Sequence, residues 1–139
     1  MSFVLDNSVA LAWCFEDEQT KSVLDLLDRV ADSGAIAPML WPIEALNGLL
    51  AAERRRRLDA TQRTKLAAFL RELPIRLDME TADHAWQDTT LIAAKYKLPL
   101  YDAAYLELAQ RRKLPLASLD KDLRKAAVSA GVEVLGKAC

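Results

Sequence analysis

Residues 114–135, "LPLASLDKDLRKAAVSAGVEVL", decide the fold. "LPLAS" at 114–118 reads as a short buried strand, "DKDLRKAAVSAG" at 120–131 as a helix stopped by Gly131, and "VEVL" at 132–135 as a second strand. Strands joined through a helix run parallel, because a tight hairpin joins only antiparallel ones. The same alternation extends back to the start of the chain. "FVL" at 3–5, "AIA" at 35–37 and "PIRL" at 74–77 read as strands. Between them, helices are expected in "VALAW" (9–13), "TKSVLDLLDRVADSG" (20–34), the segment opened by Pro42, "DATQRTKLAAFLREL" (59–73, capped by Asp59 or Thr61) and "TADHAWQDTTLIAAKYKL" (81–98). The pattern predicts a single α/β domain over 1–139 with a mainly parallel central sheet. Ligands of such sheets bind at the carboxyl edge of the strands, where strand order reverses.

A further helix, in "PLYDAAYLELA" at 99–109, poses an electrostatic problem. Asp102, Leu106 and Ala109 share one helical stripe, so burying that stripe draws Asp102 inward, where a lone carboxylate is costly. Other acids fall at comparable places. Asp6 ends the first strand, Glu44 lies in the first turn after Pro42 with Asn47 one turn on, and Asp120 follows the "LPLAS" strand with Asp122 two residues later. Capping explains Asp102 and Asp120 individually, and a helix dipole suits Glu44. Capping does not require all of them, however, and converging like charges repel unless a cation neutralises them. A hard divalent ion, Mg²⁺ or Mn²⁺, suits such a set. One or two such ions activating water against a phosphodiester is the chemistry that clustered carboxylates serve. Ser8 and Ser118 are placed to orient ligands or water, or simply to close strand-end turns.

Other chemistries fit less well. The one histidine, His84, falls inside a helix far in sequence from the acids and reads as a surface or helix-packing residue. Cys14 and Cys139 show no metal-ligand spacing and are expected as free thiols of a reducing cytoplasm. The N-terminus lacks a basic leader, and no apolar run approaches the roughly 18 residues of a membrane span, so a cytoplasmic protein is expected. The formal net charge of −1 gives no overall basic character to attract nucleic acid. Charge is uneven, though: residues 1–33 carry seven acidic and two basic groups, whereas residues 90–139 carry nine basic and five acidic. Arg54, Arg55 and Arg57, Arg111 and Arg112, and Lys121 are candidates for local contact with a phosphate backbone. They equally suit the last turns of helices.

"VLDNSV", "WPIEALN", "LPLYDAAYLELA" and "LPLASLDKDLRKAA" occur in this order at spacings that resemble the PIN-domain ribonucleases, in particular the VapC-type toxins of bacterial toxin–antitoxin pairs. The resemblance spans essentially the whole chain. It implies a three-layer α/β/α sandwich, with Asp6, Glu44, Asp102 and Asp120 as metal-binding catalytic acids and Asn47 and Ser118 as supporting groups. Asp122 is the alternative to Asp120 as fourth acid. The implied activity is Mg²⁺- or Mn²⁺-dependent endonucleolytic cleavage of RNA, often tRNA or rRNA, by a homodimer. A cognate antitoxin would silence it by packing over an apolar groove. Trp13, Phe15, Leu40, Trp41 and Leu49 are candidates for that groove, or for the core.

Three other readings compete. A phosphoacceptor receiver domain could use Asp6, Asp78 and Lys137, but lacks a paired acid after the first strand and leaves Glu44 and Asp102 without a role. An Asp-nucleophile phosphatase wants a second Asp where Ser8 stands. A PIN-like fold kept only for binding has no need of the full acid set.

Overall fold

The computed structural model describes residues 2–137, so Cys139 lies outside the described residues. Five strands form one sheet: β1 (Val4–Leu5), β2 (Ala35–Pro38), β3 (Ile75–Asp78), β4 (Leu116–Ala117) and β5 (Val134–Leu135). Their spatial order is β3-β2-β1-β4-β5 and every pairing is parallel. Val4 aligns with Ile36 on one side and Leu116 on the other. Chain order therefore reverses between β1 and β4, which is where sheets of this kind bind ligands.

Side chains alternate across the sheet. Phe3, Leu5, Ala35, Ala37 and Ala117 join one core, while Val4, Ile36 and Leu116 join the other. The first core is covered by α1 (Asn7–Cys14), α2 (Lys21–Ser33), α3 (Trp41–Arg54) and α4 (Ala60–Glu72). Covering the second are α7 (Leu100–Arg112) and α8 (Lys121–Ser129), with α6 (Thr90–Tyr96) packed outside α7. The result is the three-layer α/β/α sandwich. Burial on both faces explains why β1, β2 and β4 are uniformly apolar.

Local signals account for most boundaries. The Thr20 hydroxyl accepts from the Val23 N–H to open α2, and Gly34 ends it at φ 76°. Asp59, not Thr61, caps α4, in a reciprocal pair with Gln62. Pro42 is the second residue of α3, but that helix stops at Arg54, the first residue of its basic run. The expected helix over 81–98 runs as α5 (Thr81–His84), a π turn (Ala85–Thr89) and α6. Among the described residues no helix is long and apolar enough to cross a membrane.

Candidate functional site

The carboxyl ends of β1 and β4 meet through side chains. Asp6 follows β1 and is buried, at the N-cap position of α1, yet its carboxylate makes no cap bond. Instead Oδ2 accepts from Ser8 Oγ at 2.5 Å and from buried Ser118 Oγ at 2.9 Å. Ser8 Oγ in turn accepts from the Leu119 N–H, and Ser118 Oγ from the Asp120 N–H. Two hydroxyls from opposite ends of the sequence thus clamp one carboxylate at the switch point. Burial pushes the Asp6 carboxyl up, the Ser8 and Ser118 bonds pull it down, and the charge of Asp120 pushes it up again.

Glu44 arrives in the first turn of α3, where Gly48 lets that helix close on α1: a methyl group there would meet Leu11 Cδ1 at 2.6 Å. Its Oε1 accepts from Tyr105 Oη at 2.6 Å. Burial raises the Glu44 carboxyl, the Tyr105 bond lowers it, and the Asp6 charge raises it. Tyr105 is fully buried and its own acidity is strongly suppressed, so it remains a donor. Sequence reasoning does not single this residue out. Its signal is an aromatic with a polar tip one turn beyond Asp102, and such tips find partners when buried.

Asp102 is the third residue of α7, whose N-cap is Pro99, so capping does not explain it. Its carboxyl is pushed up to about 6, first by burial and then by the charges of Asp6, Asp120, Glu44 and Asp122. These five acids therefore share one electrostatic neighbourhood. Asp120 does act as a cap: its Oδ1 accepts from the Leu123 N–H at 2.9 Å, and both it and Asp122 are exposed at the start of α8. Asn47 lies exposed on α3, a turn beyond Glu44.

The candidate cations divide. Arg54, Arg55, Arg112 and Lys121 are exposed. Arg57 is engaged within the fold, pairing with Asp17 and Glu18 and covering the Phe15 ring at 4.1 Å. Arg111 forks onto Asp78 (3.1 and 2.6 Å) and Glu107 (2.9 and 3.1 Å). Asp78 ends the edge strand β3 rather than a central one, and this ion pair occupies it, which removes the receiver-like reading.

The groove expected from Trp13, Phe15, Trp41 and Leu49 is not a surface. All four are buried in the first core, because α1, α3 and α4 close over them; Leu40 is partly buried against the second. An apolar cavity of about 630 Å³ does open between α3 and α4, lined by Trp41, Pro42, Leu46, Ala67, Leu70 and Leu77 among others.

The donor set fits a hard divalent cation. It consists of carboxylate oxygens, and burial and neighbouring charges raise the Asp6, Glu44 and Asp102 carboxyls, penalties that a cation reverses.

Comparison with known proteins completes the picture. A search of curated proteins returns no relative. Among solved structures, FitAcB from Neisseria gonorrhoeae superposes with a TM-score of 0.67 at 18% identity, covering 98% of this chain and 97% of that one. VapBC2 from Rickettsia felis, bound to a promoter DNA fragment, gives 0.67 at 13% identity over 99% and 100%. VapC20 of Mycobacterium tuberculosis, described as a Sarcin-Ricin loop cleaving toxin, gives 0.63 at 17% identity over 96% and 99%. These likenesses establish the fold. The PIN domain family model matches residues 3–129, a span that takes in β1, Asp6, Glu44, Asp102, Asp120 and the switch point. The chain belongs to the PIN domain family.

Proposed function

We propose that this protein is a divalent-metal-dependent endoribonuclease of the VapC type, the toxin of a toxin–antitoxin pair, acting on a structured RNA such as tRNA or rRNA. The observation that carries the reading is the cluster of acids at the switch point, with Asp6 held by Ser8 and Ser118, Glu44 held by Tyr105, and Asp102 close enough to both for their charges to raise its carboxyl. A domain kept only for binding has no use for that unfavourable concentration of charge.

Asp6, Glu44, Asp102 and Asp120, with Asp122 as a further oxygen donor, would hold Mg²⁺ or Mn²⁺. The ion supplies Lewis-acid polarisation of the scissile phosphate and acidification of the attacking water. The protein's own groups fix the donors. Ser8 and Ser118 hold Asp6 Oδ2, and Tyr105 holds Glu44 Oε1, leaving their other oxygens for the site. Asp120 is anchored through its cap bond, which limits the directions its carboxylate can take. Exposed Arg54, Arg55, Arg112 and Lys121 would guide the RNA backbone.

Solved structures of similar fold include toxin–antitoxin complexes, and the apolar cavity between α3 and α4 suits one helix of an antitoxin. Exposed Ile43, Met79, Trp86, Leu100 and Tyr101 would serve a homodimer.

Purified protein incubated with cellular RNA should cut it in Mg²⁺ or Mn²⁺ and not in EDTA, and Asp102→Asn should not cut. Equal cleavage with and without chelator would overturn the mechanism. Induced expression should arrest growth, with rescue by the neighbouring small open reading frame. Normal growth with abundant folded wild-type protein would remove the toxin role.

A further inference from the structure

A second group of metal-ligating side chains lies away from the acidic edge. His84 ends α5, Asp88 lies in the π turn and Glu107 belongs to α7; one ligand atom from each falls within 4.8 Å of the others. Glu107 is five residues beyond Asp102, which on an α-helix is about 7.5 Å along the axis and roughly 140° around it. The two groups therefore face different ways.

The distances are informative. His84 Nδ1 is 3.6 Å from Asp88 Oδ2 and 3.9 Å from Glu107 Oε2. Both exceed hydrogen-bond length. Two ligands bound at about 2.0–2.1 Å around a tetrahedral ion are separated by roughly 3.3 Å, so shifts of a few tenths of an ångström convert this arrangement into a coordination shell.

The outer contacts match as well. The other imidazole nitrogen, Nε2, lies 3.7 Å from Glu80 Oε1, also beyond hydrogen-bond length, and a shift like those of the ligands would pair the two. A carboxylate on the outer nitrogen is the usual partner of a metal-bound histidine, since it holds the proton there and leaves the inner lone pair for the ion. Glu107 is buried and both its oxygens accept from Arg111, Oε2 from Nε at 2.9 Å and Oε1 from Nη2 at 3.1 Å, so Oε2 would meet the ion with its remaining lone pair; the Arg111 charge is matched by Asp78. A cavity of about 570 Å³ lined by His84, Asp88, Glu107 and the Asp78-paired Arg111 opens here, with room for a water as fourth ligand.

We propose that His84, Asp88 and Glu107 hold one borderline transition cation of the zinc class, clamping the π-bulged helix onto α7. The imidazole nitrogen selects Zn²⁺, Co²⁺ or Ni²⁺ over Mg²⁺, in contrast to the all-oxygen acidic edge. The clamp secures a helix whose π turn is irregular to the helix that bears Asp102 and Tyr105.

The test uses the full chain and does not depend on RNA cleavage. Co²⁺ is titrated into wild type, an Asp6→Asn/Asp102→Asn variant, His84→Gln and Glu80→Gln, and the visible d–d absorption is followed, with Zn²⁺ as competitor. Wild type and the acidic-edge variant should both show the intense bands of a four-coordinate site, displaced by one equivalent of Zn²⁺. His84→Gln should weaken binding more than tenfold and Glu80→Gln about tenfold. Zn²⁺ should raise the melting temperature of the acidic-edge variant but not of the same variant carrying His84→Gln as well. The clamp is overturned if wild type shows no bands, if they survive His84→Gln, or if they vanish in the acidic-edge variant.

Discussion

Asp102 has a carboxyl pushed to about 6, against 3.8 for an isolated one, with burial the largest cause and four neighbouring acids the next. The folded chain holds this proton more tightly than the unfolded chain does. The stability it contributes is fully present below about pH 3.8 and is lost as pH rises through about 6. Asp6 and Glu44, also raised, act in the same direction, while Asp78, lowered by Arg111 and Thr81 despite its burial, acts in the opposite one at more acid pH. In metal-free buffer the melting temperature should therefore fall between about pH 4 and pH 6, and a divalent ion should remove that fall. Asp102→Asn should add about 1 kcal/mol to metal-free stability at neutral pH, the shift being discounted for a half-exposed group. Thermal melts in EDTA read this directly. Tyr105→Phe deletes the hydroxyl on Glu44, and should weaken Mn²⁺ binding and cleavage about tenfold while costing about 1 kcal/mol of stability. Calorimetric titration with Mn²⁺ would separate the two effects.

Helix and strand boundaries depend on a few junctions where one residue meets a distant element. Gly34 stops α2 at positive φ, and a Cβ there would lie 2.9 Å from the Pro74 carbonyl oxygen, the residue that leads into β3. Gly34→Ala should thus cost roughly 1–3 kcal/mol, measured by urea unfolding, with little effect on metal binding at the acidic edge. Arg111 ties the end of β3 to α7 through Asp78 and Glu107, both buried. Arg111→Met should destabilise by about 3 kcal/mol because it leaves two buried carboxylates unpaired. Of these junctions only the Gly34 stop is legible in the sequence, since a helix stop depends on neighbours within one turn. The Arg111 fork joins residues 33 positions apart, and in sequence Arg111 reads as a phosphate contact or a helix-end cation, not as a partner of Asp78. The π turn between His84 and Asp88 likewise leaves no mark on the apolar pattern of 81–98.

For the molecule as a whole, RNA affinity should fall with salt, because only local cation patches offset the net charge of −1. Neutralising Arg54 and Arg55 together should reduce the salt slope by about one unit for each RNA phosphate these side chains engage. Filter binding with catalytically dead protein at several salt concentrations measures it. Arg57→Ala should instead loosen the fold around Phe15, which circular dichroism melts would reveal. By itself the sequence determined the alternation of strands and helices, the parallel sheet and the positions of Asp6, Glu44, Asp102 and Asp120 near strand exits or helix starts. Those properties follow from periodicity and turn chemistry among near neighbours. Only the tertiary structure decided the strand order β3-β2-β1-β4-β5, the meeting of Asp6 with Ser118, the Tyr105 bond to Glu44, and the burial of Trp13 and Trp41. Each of these joins segments far apart along the chain, and which distant surfaces close on one another is set by burial of the whole core, not by any local pattern of residues.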